Sequence, residues 1–314
     1  MFDLAIIIVS YKTKDLLDRC LASVFTLDHS FTHRVVVVDN NSNDGTKEMV
    51  IGKYPDALYV ENENNVGFSV ANNQGIRKSD SRFILLLNPD TEVNQSAIAS
   101  MLKFLENNHG VGVVGCQLLN SDGTDQTSSF KFPIPLSRYF EKMPFYDKLS
   151  RKVLKINEKH LVVPVEGAEK VDIVKGACLM IRRETANQVG LLDENSFLYA
   201  DDIDWCIRTA KRGWSSYILR NVNIIHHGYA STEQEPYITI TSSRRSAIYL
   251  YKKHYSTAFT AIWVSLIFGE VVYKWALNWL RVKMGKNSPK TLARYAAYRD
   301  LAAEMMGRKT AGKS

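Results

Sequence analysis

Short apolar runs that alternate with segments of helical period restrict the fold of this chain more than any other feature. The first run, Leu4–Val9, is rich in β-branched residues, which is typical of a strand buried on both faces of a parallel sheet. The next segment, Asp15–Phe25, has apolar residues at the spacing of an amphipathic helix. Later strand candidates are Arg34–Val38, Leu58–Glu61, Phe83–Leu87 and Val111–Leu119. The alternation predicts a βαβ series and therefore an α/β fold, with ligands outside the carboxyl ends of the strands.

Three carboxylates stand at the predicted start of a later helix, at Asp201, Asp202 and Asp204. The free N–H groups and the dipole of a helix start stabilise negative charge, so a helix cap is one interpretation. A cap needs only one such residue, however, and the strand that follows this helix ends at His226-His227. We therefore favour a functional role, in which the carboxylates and a histidine converge on one pocket.

Other polar residues follow predicted strands or enter predicted helices. Asp90 comes directly after the fourth strand, where α/β enzymes often place a metal-binding carboxylate, although Asn88-Pro89-Asp90 is equally compatible with a turn. Asn65-Val66-Gly67-Phe68 could hold phosphate or sugar hydroxyls at a helix start, but its glycine spacing matches no nucleotide-binding fingerprint. Gly176 would allow a ligand to approach the backbone closely. The aperiodic segment 120–169 is either a lid or substrate-binding segment, or a spacer.

The positive charge of the chain is concentrated near its C-terminus. Residues 252–314 hold twelve Lys and Arg against three Asp and Glu, whereas the preceding residues are slightly acidic. A nucleic-acid-binding protein more often spreads its positive face over the folded domain, so an anionic membrane surface is the favoured partner. We predict a helical, basic tail at 251–314 that docks on a membrane without crossing it, because Glu270 and Lys274 interrupt its apolar run. Packing of this tail on the catalytic domain or on a second subunit is the alternative.

Cysteine usage and the N-terminus indicate the compartment. The four cysteines lie far apart without a Cys-x-x-Cys pair, so neither a disulfide framework nor a zinc site is indicated. The chain enters its first apolar run without a basic segment or a cleavage site. We therefore expect a cytoplasmic protein that is peripheral on the inner face of the cytoplasmic membrane.

Several motifs occur in an order that resembles an inverting family 2 glycosyltransferase of the GT-A fold, and within it the bacterial rhamnosyltransferase-like group. The resemblance covers roughly Leu4–Ser231 and does not cover the tail. The motifs are Ile8-Val9-Ser10-Tyr11, Val38-Asp39-Asn40-Asn41-Ser42, Asn65-Val66-Gly67-Phe68 with Asn72-Asn73, Leu87-Asn88-Pro89-Asp90, Gly176-Ala177-Cys178 and Asp204-Trp205-Cys206-Ile207-Arg208. The resemblance implies an α/β fold with a Rossmann-like, mixed, mostly parallel sheet flanked by helices, and a C-terminal helical appendage. It places a catalytic domain at 1–250, with a nucleotide-sugar-binding half at 1–119 and an acceptor and catalytic half at 120–250.

The resemblance also implies roles for individual residues. Asp202 would be the catalytic base, and Asp90 would bind a divalent metal, Mg²⁺ or Mn²⁺, together with His226 or His227. Acceptor-binding residues would be Tyr199, Asp201 and Asp204. Donor-binding residues would be Ser10, Tyr11, Asp39, Asn41, Asn65, Gly67, Phe68, Asn72, Asn88, Asp90 and Gly176. The chain departs from the family pattern at Asn88, where the metal motif usually has Asp, and at Asp201, where relatives often have Glu.

The reaction implied by this resemblance is transfer of a sugar onto a saccharide. L-rhamnose from dTDP-L-rhamnose is the first choice of donor and a UDP-sugar the alternative, and the acceptor would be a polyprenyl-diphosphate-linked saccharide in cell-surface polysaccharide synthesis. A nucleotidyltransferase is a weaker alternative, since a glycine-rich basic loop is expected after its first strand and Ser10–Lys14 contains no glycine. A non-enzymatic binding module would not explain acids and a histidine at strand ends.

Overall fold

The computed structural model describes residues 1–27, 30–134, 145–156, 166–228 and 235–308. The chain forms two compact units. The first comprises Met1–Phe197 with Asp201–Ala230, and the second comprises Leu198–Ala200 with Ser231–Ser314. Parts of the predicted lid or spacer, 135–144 and 157–165, lie outside the described residues.

The first half of the first unit alternates strands and helices, as the apolar runs predict. Its elements are β1 (Phe2–Ser10), α1 (Lys14–Phe25), β2 (His33–Asp39), α2 (Thr46–Lys53), β3 (Leu58–Glu61), α3 (Phe68–Arg77), β4 (Ser81–Leu87), β5 (Thr91–Glu92), α4 (Gln95–Asn107) and β6 (Val111–Leu119). Strands β1 and β2 are buried over most of their length, which explains why their sequences are apolar on both faces.

The second half of the first unit has shorter strands. Its elements are β7 (Asp125–Gln126), β8 (Ser129–Phe130), α5 (Tyr146–Leu154), β9 (Ala168–Val171), β10 (Ile173–Val174), β11 (Cys178–Arg182), α6 (Arg183–Val189), α7 (Asp201–Lys211) and β12 (Ser215–His226). The sequence has strand character over Asp172–Arg182, around Gly176-Ala177-Cys178, whereas the chain leaves β10 at Val174 and enters β11 at Cys178. The three residues between these strands form part of the candidate site.

The main sheet has the strand order β3-β2-β1-β4-β11-β6-β12-β5. Strand β1 is parallel to β2 and β4, and β6 is parallel to β12. Strand β11 lies between β4 and β6 and is antiparallel to both, so β1, β2, β4, β6 and β12 all run in one direction. The predicted mixed, mostly parallel sheet flanked by helices is confirmed. Since ligands bind outside the carboxyl ends of such strands, this edge of the sheet is where a site is expected.

The second unit is helical. It contains α8 (Pro236–His254), α9 (Thr257–Lys283) and α10 (Pro289–Met305), and α9 packs against both other helices. Helix α9 is long and apolar enough to cross a membrane by length and composition, and only 11% of its most apolar window is buried. The predicted helical C-terminal region is confirmed, whereas its boundary at 251 and its membrane contact stay predictions.

Candidate active site

The carboxyl ends of the parallel strands bring the predicted residues to one edge of the sheet. Strand β1 ends at Ser10, β2 ends at Asp39 and β12 ends at His226. Asn88 directly follows β4, and its N–H donates to the carbonyl of Ala177 at 3.0 Å. This bond lies at the end of the β4 and β11 ladder, so the Asn88–Asp90 turn and the loop that contains Gly176 are held side by side.

Asp90 and His226 face each other at this edge. The Nε2 atom of His226 lies 3.3 Å from Oδ1 of Asp90 and 3.4 Å from Nδ2 of Asn88. Both Asp90 and His226 are buried. The pairing of His226 with Thr91 of β5 fixes this position. A carboxylate and an imidazole nitrogen at this distance are suitable ligands for a divalent metal.

His227 has different partners. Its Nδ1 lies 2.7 Å from the hydroxyl of Ser121, and its Nε2 lies 2.7 Å from Oε1 of Glu92. Its backbone N–H donates to the carbonyl oxygen of Asp90 at 2.9 Å. Of the two histidines left open as metal ligands, His226 is therefore the one whose ring lies beside the carboxylate of Asp90.

The carboxylate of Asp202 is held by backbone N–H groups. Gly176 donates to its Oδ2 at 2.9 Å, and Ile203 donates to its Oδ1 at 2.8 Å. Burial raises the pKa of Asp202, while these two N–H groups and the nearby ammonium of Lys175 oppose that increase. Gly176, predicted to contact a ligand through its backbone, thus holds Asp202.

The two other acidic residues of this helix start differ from Asp202. Asp201 is buried, and burial together with repulsion from the Asp202 carboxylate raises its pKa to about 8. Asp204 is also buried, and its Oδ2 accepts a hydrogen bond from Nε of Arg208 at 2.7 Å. The Arg208 guanidinium also donates to the carbonyl of Leu191 at 2.8 Å. The carboxylate of Asp204 therefore helps to fasten α7 to the preceding loop, and its role in acceptor binding stays a prediction.

At the end of β2, the side chain of Asp39 organises the following turn. Its Oδ2 accepts the N–H of Ser42 at 3.0 Å, and its Oδ1 accepts the Ser42 hydroxyl. Asn41 has a left-handed φ of 63° and donates from Nδ2 to the carbonyl of Glu63 at 3.0 Å. The hydroxyl of Ser10 lies 3.2 Å from that of Thr13. These contacts place Ser10, Asp39 and Asn41 at neighbouring strand ends.

The loop that enters α3 is tightly built. Oδ1 of Asn65 accepts the N–H of Gly67 at 3.0 Å, and the N–H of Phe68 donates to the carbonyl of Phe197 at 2.7 Å. Asn72 is buried, and its Nδ2 donates to the carbonyl of Phe68 at 2.9 Å. These amides therefore support the loop, and donor binding by them stays a prediction.

The two tyrosines predicted to bind substrate, Tyr11 and Tyr199, belong to different units of the chain. Tyr11 follows β1 and is half-buried, with the ammonium of Lys12 lying 5.0 Å from its ring centre. Tyr199 belongs to the second unit and has a left-handed φ of 70°, as does Ala200 with 63°. Two consecutive non-glycine residues in this region are rare and make a sharp turn directly before α7. The roles of both tyrosines stay predictions.

Two polar residues at the site were missed by the sequence reasoning. Lys175 donates from Nζ to Oε1 of Gln126 at 2.8 Å, and the same oxygen lies 2.5 Å from Nδ1 of His226. Burial lowers the pKa of Lys175, and the charges of Asp202 and Asp90 oppose that shift. Lys175 directly precedes the Gly176-Ala177-Cys178 motif, which was a usable signal. Gln126 lies in the aperiodic segment, where no local pattern points to it.

Several known proteins are similar to this chain in sequence. The family model described as Glycosyl transferase family 2 matches residues 5–164, slightly more than half of the chain. The N-acetylglucosaminyl-diphospho-decaprenol L-rhamnosyltransferase of Mycobacterium tuberculosis is 25% identical over 271 residues, which are 80% of this chain and 85% of that protein. A low-salt glycan biosynthesis hexosyltransferase of Haloferax volcanii is 28% identical over 229 residues, which are 72% of this chain and 67% of that protein.

A solved structure shows the same fold. The mannosyltransferase of Pyrobaculum calidifontis, in complex with GDP-Man and Mn²⁺, superposes with a TM-score of 0.55 at 18% identity and covers 97% of this chain and 84% of its own. The likeness at this identity concerns the fold, which is GT-A. From the family match and the site at the strand ends, we conclude that the chain belongs to glycosyl transferase family 2 and is a glycosyltransferase.

Proposed function

We propose that the protein transfers L-rhamnose from dTDP-L-rhamnose to a polyprenyl-diphosphate-linked saccharide, with inversion at the anomeric carbon. The observation that carries this proposal is that two adjoining loops hold both groups: Gly176 binds the carboxylate of Asp202, and the neighbouring Asn88–Asp90 turn places Asp90 beside His226. Transfer from a nucleotide sugar needs a base that takes the proton of the acceptor hydroxyl. It also needs a cation site that stabilises the negative charge of the leaving diphosphate. The Mycobacterium tuberculosis relative, whose name states a rhamnosyl transfer to a decaprenol-linked sugar, supports the choice of substrates.

The residues present fit a divalent metal that shares its coordination with the donor. Asp90 and His226 supply two ligands, and the described residues contain no group of three or more His, Cys, Asp or Glu that could enclose a metal. Mg²⁺ is usually held by one or two carboxylates and completed by substrate phosphates. When bound there, Mg²⁺ or Mn²⁺ would neutralise negative charge on the departing diphosphate. Asn88 cannot supply the carboxylate that the family motif usually has, so Asp90 and His226 are the ligands we propose.

Asp202 is the residue that we propose as the base. Its carboxylate accepts two backbone hydrogen bonds and faces Lys175, so it can stay ionised while the neighbouring Asp201 keeps a proton. An ionised carboxylate can take the proton from the acceptor hydroxyl as that oxygen attacks the sugar. Attack from the face opposite the leaving group inverts the anomeric centre in one step, so no enzyme nucleophile is needed.

The remaining predicted residues complete the two binding regions in this proposal. Asp201, Asp204 and Tyr199 would serve the acceptor, and Tyr11 and Asp39 would contact the nucleotide base. The rest of the donor side comprises Ser10, Asn41, Asn65, Gly67, Phe68, Asn72, Asn88 and Gly176. A UDP-hexose donor is the second candidate, supported by the Haloferax volcanii relative whose name states a hexosyl transfer. We propose a cytoplasmic location, with the C-terminal helices against the inner membrane surface.

A panel of nucleotide sugars tests this function. The full-length protein is incubated with Mn²⁺, an N-acetylglucosaminyl-diphospho-polyprenol and dTDP-L-rhamnose, UDP-hexoses or GDP-mannose, and the product mass is measured. We expect a deoxyhexose to be added with dTDP-L-rhamnose, no transfer in excess EDTA, and loss of transfer in Asp90→Ala. Transfer from UDP-hexoses but not from dTDP-L-rhamnose would contradict the proposed donor. Full transfer in excess EDTA would contradict the proposed metal dependence.

A further inference from the structure

The side-chain amide of Gln126 has an orientation that its neighbours define. Its Nε2 lies 2.8 Å from Oδ1 of Asn120 and 3.1 Å from the backbone carbonyl oxygen of His226. The second of these atoms can only accept, so the NH₂ group must point there. The opposite atom, Oε1, receives the ammonium of Lys175 at 2.8 Å, and an ammonium can only donate. The donor and acceptor ends of Gln126 are thus both determined.

This orientation determines where the proton of His226 lies. Oε1 of Gln126 is an amide oxygen and cannot donate, and it lies 2.5 Å from Nδ1 of His226. A hydrogen bond at this position therefore requires a proton on Nδ1. In a neutral imidazole the other nitrogen then has a free lone pair, and Nε2 of His226 faces Oδ1 of Asp90 at 3.3 Å.

Nδ2 of Asn88, 3.4 Å from Nε2, can donate to this lone pair, but it does not offset the charge of the neighbouring Asp90 carboxylate, whereas a cation would. A lone pair and a carboxylate oxygen repel each other unless a positive charge lies between them. Metal-binding histidines commonly donate their other ring N–H to an oxygen, which fixes the tautomer and the ring orientation. We propose that Gln126 is a positioning residue that keeps His226 in the Nδ1-protonated tautomer with Nε2 directed at the metal position beside Asp90, and that Lys175 holds Gln126 in the required orientation. This inference rests on the proposed metal site but not on the identity of the sugar.

The tautomer can be observed directly, without metal, donor or turnover. In full-length protein labelled with ¹⁵N-histidine, a long-range ¹H–¹⁵N spectrum recorded at about pH 8 distinguishes the two neutral tautomers from each other and from the imidazolium. The His226 signals are assigned by their loss in His226→Ala. We expect Nδ1 to carry the proton in the wild type and in Gln126→Glu, which keeps an accepting oxygen. A proton on Nε2 in the wild type would overturn the proposal even if the transferase activity is as proposed.

Metal affinity provides the second readout. Mn²⁺ alone is titrated into the protein and followed by electron paramagnetic resonance. Loss of the residue that accepts the other ring N–H of a ligating histidine typically weakens metal binding by about 10- to 100-fold. We expect this loss for Gln126→Met, whose thioether sulfur is only a weak acceptor. Lys175→Met should weaken binding in the same direction, and Gln126→Glu should restore it to within a few-fold of wild type.

The matched control is Gln188→Met. Oε1 of Gln188 accepts the indole N–H of Trp214 at 3.0 Å, just before the start of β12 and thus at the opposite end of that strand from His226. This variant should bind Mn²⁺ as the wild type does. Equal Mn²⁺ affinities of Gln126→Met and wild type would contradict the proposal. If Gln126→Met does not fold, the tautomer of His226 in the wild type is the observation that tests the proposal. Failure of all sugar donors with the expected tautomer and Mn²⁺ affinities would reject the transfer reaction but leave this inference standing.

Discussion

Asp201 and Asp202 are adjacent in sequence, but their carboxyl groups have different surroundings. Asp202 accepts N–H groups from Gly176 and Ile203 and faces Lys175, all of which favour the ionised form. Asp201 is 6% exposed, and its pKa is raised to about 8 by burial and by the charge of Asp202. Near neutral pH we therefore assign a proton to Asp201. Environments that separate two neighbouring carboxylates in this way allow one of them to act as a base.

A proton held by Asp201 makes the stability depend on pH. Its pKa rises from about 3.9 when unfolded to about 8 when folded, so its protonation stabilises the fold at low pH and this contribution is lost as pH rises toward 8. Relative to Asp201→Asn, we expect the free energy of unfolding of the wild type to fall by up to about 1.4 kcal/mol per pH unit between about pH 5 and pH 7.

Urea unfolding at a series of pH values measures this difference. Asp56 is exposed, so Asp56→Asn serves as the control and should reproduce the wild-type pH profile. Identical profiles for Asp201→Asn and wild type would show that Asp201 does not keep its proton in the folded protein.

The backbone conformation at the start of helix α3 requires a glycine at position 67. Gly67 precedes the helix with a φ of 90° and a ψ of 166°, a region that is essentially restricted to glycine. A Cβ at Gly67 would also lie 2.7 Å from the backbone carbonyl oxygen of Phe197. Displacing backbone atoms is costly in energy. The close contact between the loop before α3 and the segment before α7 therefore requires a residue without a side chain at Gly67.

Gly67→Ala should therefore be strongly destabilising. We expect it to reduce the free energy of unfolding by about 1–3 kcal/mol more than Gly123→Ala, because it combines an unfavourable φ with a clash. Gly123 is a matched control, since it also has a positive φ, 81°, but has nothing within 4 Å of the added Cβ. Urea unfolding measures both variants. Equal losses would mean that the contact with Phe197 is not a constraint.

Sequence patterns predicted the long elements of the sheet but not the short ones. Leu4–Val9 and Arg34–Val38 are apolar enough to indicate strands by themselves, and these predictions are confirmed by β1 and β2. Strands of two residues, such as β5 and β10, exist only because a strand distant in sequence pairs with them. No local periodicity can indicate such a pairing.

The same limit applies to the site. Asp90 and Asp202 could be singled out because each follows a recognisable strand or begins a helix. Gln126 could not, since its contact with His226 joins residues that are 100 positions apart. The choice between His226 and His227 also needed the structure, because adjacent residues in sequence can point to different partners.

Helix α9 presents apolar side chains to solvent within the second unit. The exposed residues include Ile262, Leu266, Tyr273, Trp279 and Leu280. Glu270, one turn after Leu266 on the same side of α9, forms an ion pair of 2.6 Å with Arg244 of α8. Helix α10, which carries charged residues such as Arg294 and Asp300, packs against α9. A helix with such neighbours would have to bring their charges into the bilayer to cross it. We therefore favour docking at the membrane surface over crossing, although the length of α9 permits either.

Docking of the tail predicts a salt-sensitive association with anionic lipid. Arg281, Lys283, Lys286 and Lys290 are exposed, and each basic residue near such a surface contributes on the order of 1 kcal/mol. We expect the full-length protein to float with liposomes that contain phosphatidylglycerol and to be released by high salt. Replacement of these four residues by Gln should weaken binding at least about tenfold.

The control replaces four exposed lysines of the first unit by Gln, at Lys78, Lys103, Lys148 and Lys152. Because the net charge changes equally, this variant should still float. Equal flotation of both variants would contradict docking by the tail. Protein that stays with the liposomes in high salt and in alkaline carbonate would indicate that α9 is inserted.

Replacement of Asp202 by Asn tests the central claim most directly. The amide nearly preserves the shape of the carboxylate but cannot accept the proton of the acceptor hydroxyl. With the donor that the nucleotide-sugar panel identifies, we expect transfer to slow by about a hundredfold or more, while donor binding measured by calorimetry stays within a few-fold of wild type and Asp56→Asn remains fully active. Transfer by Asp202→Asn within a few-fold of the wild-type rate would show that Asp202 is not the base.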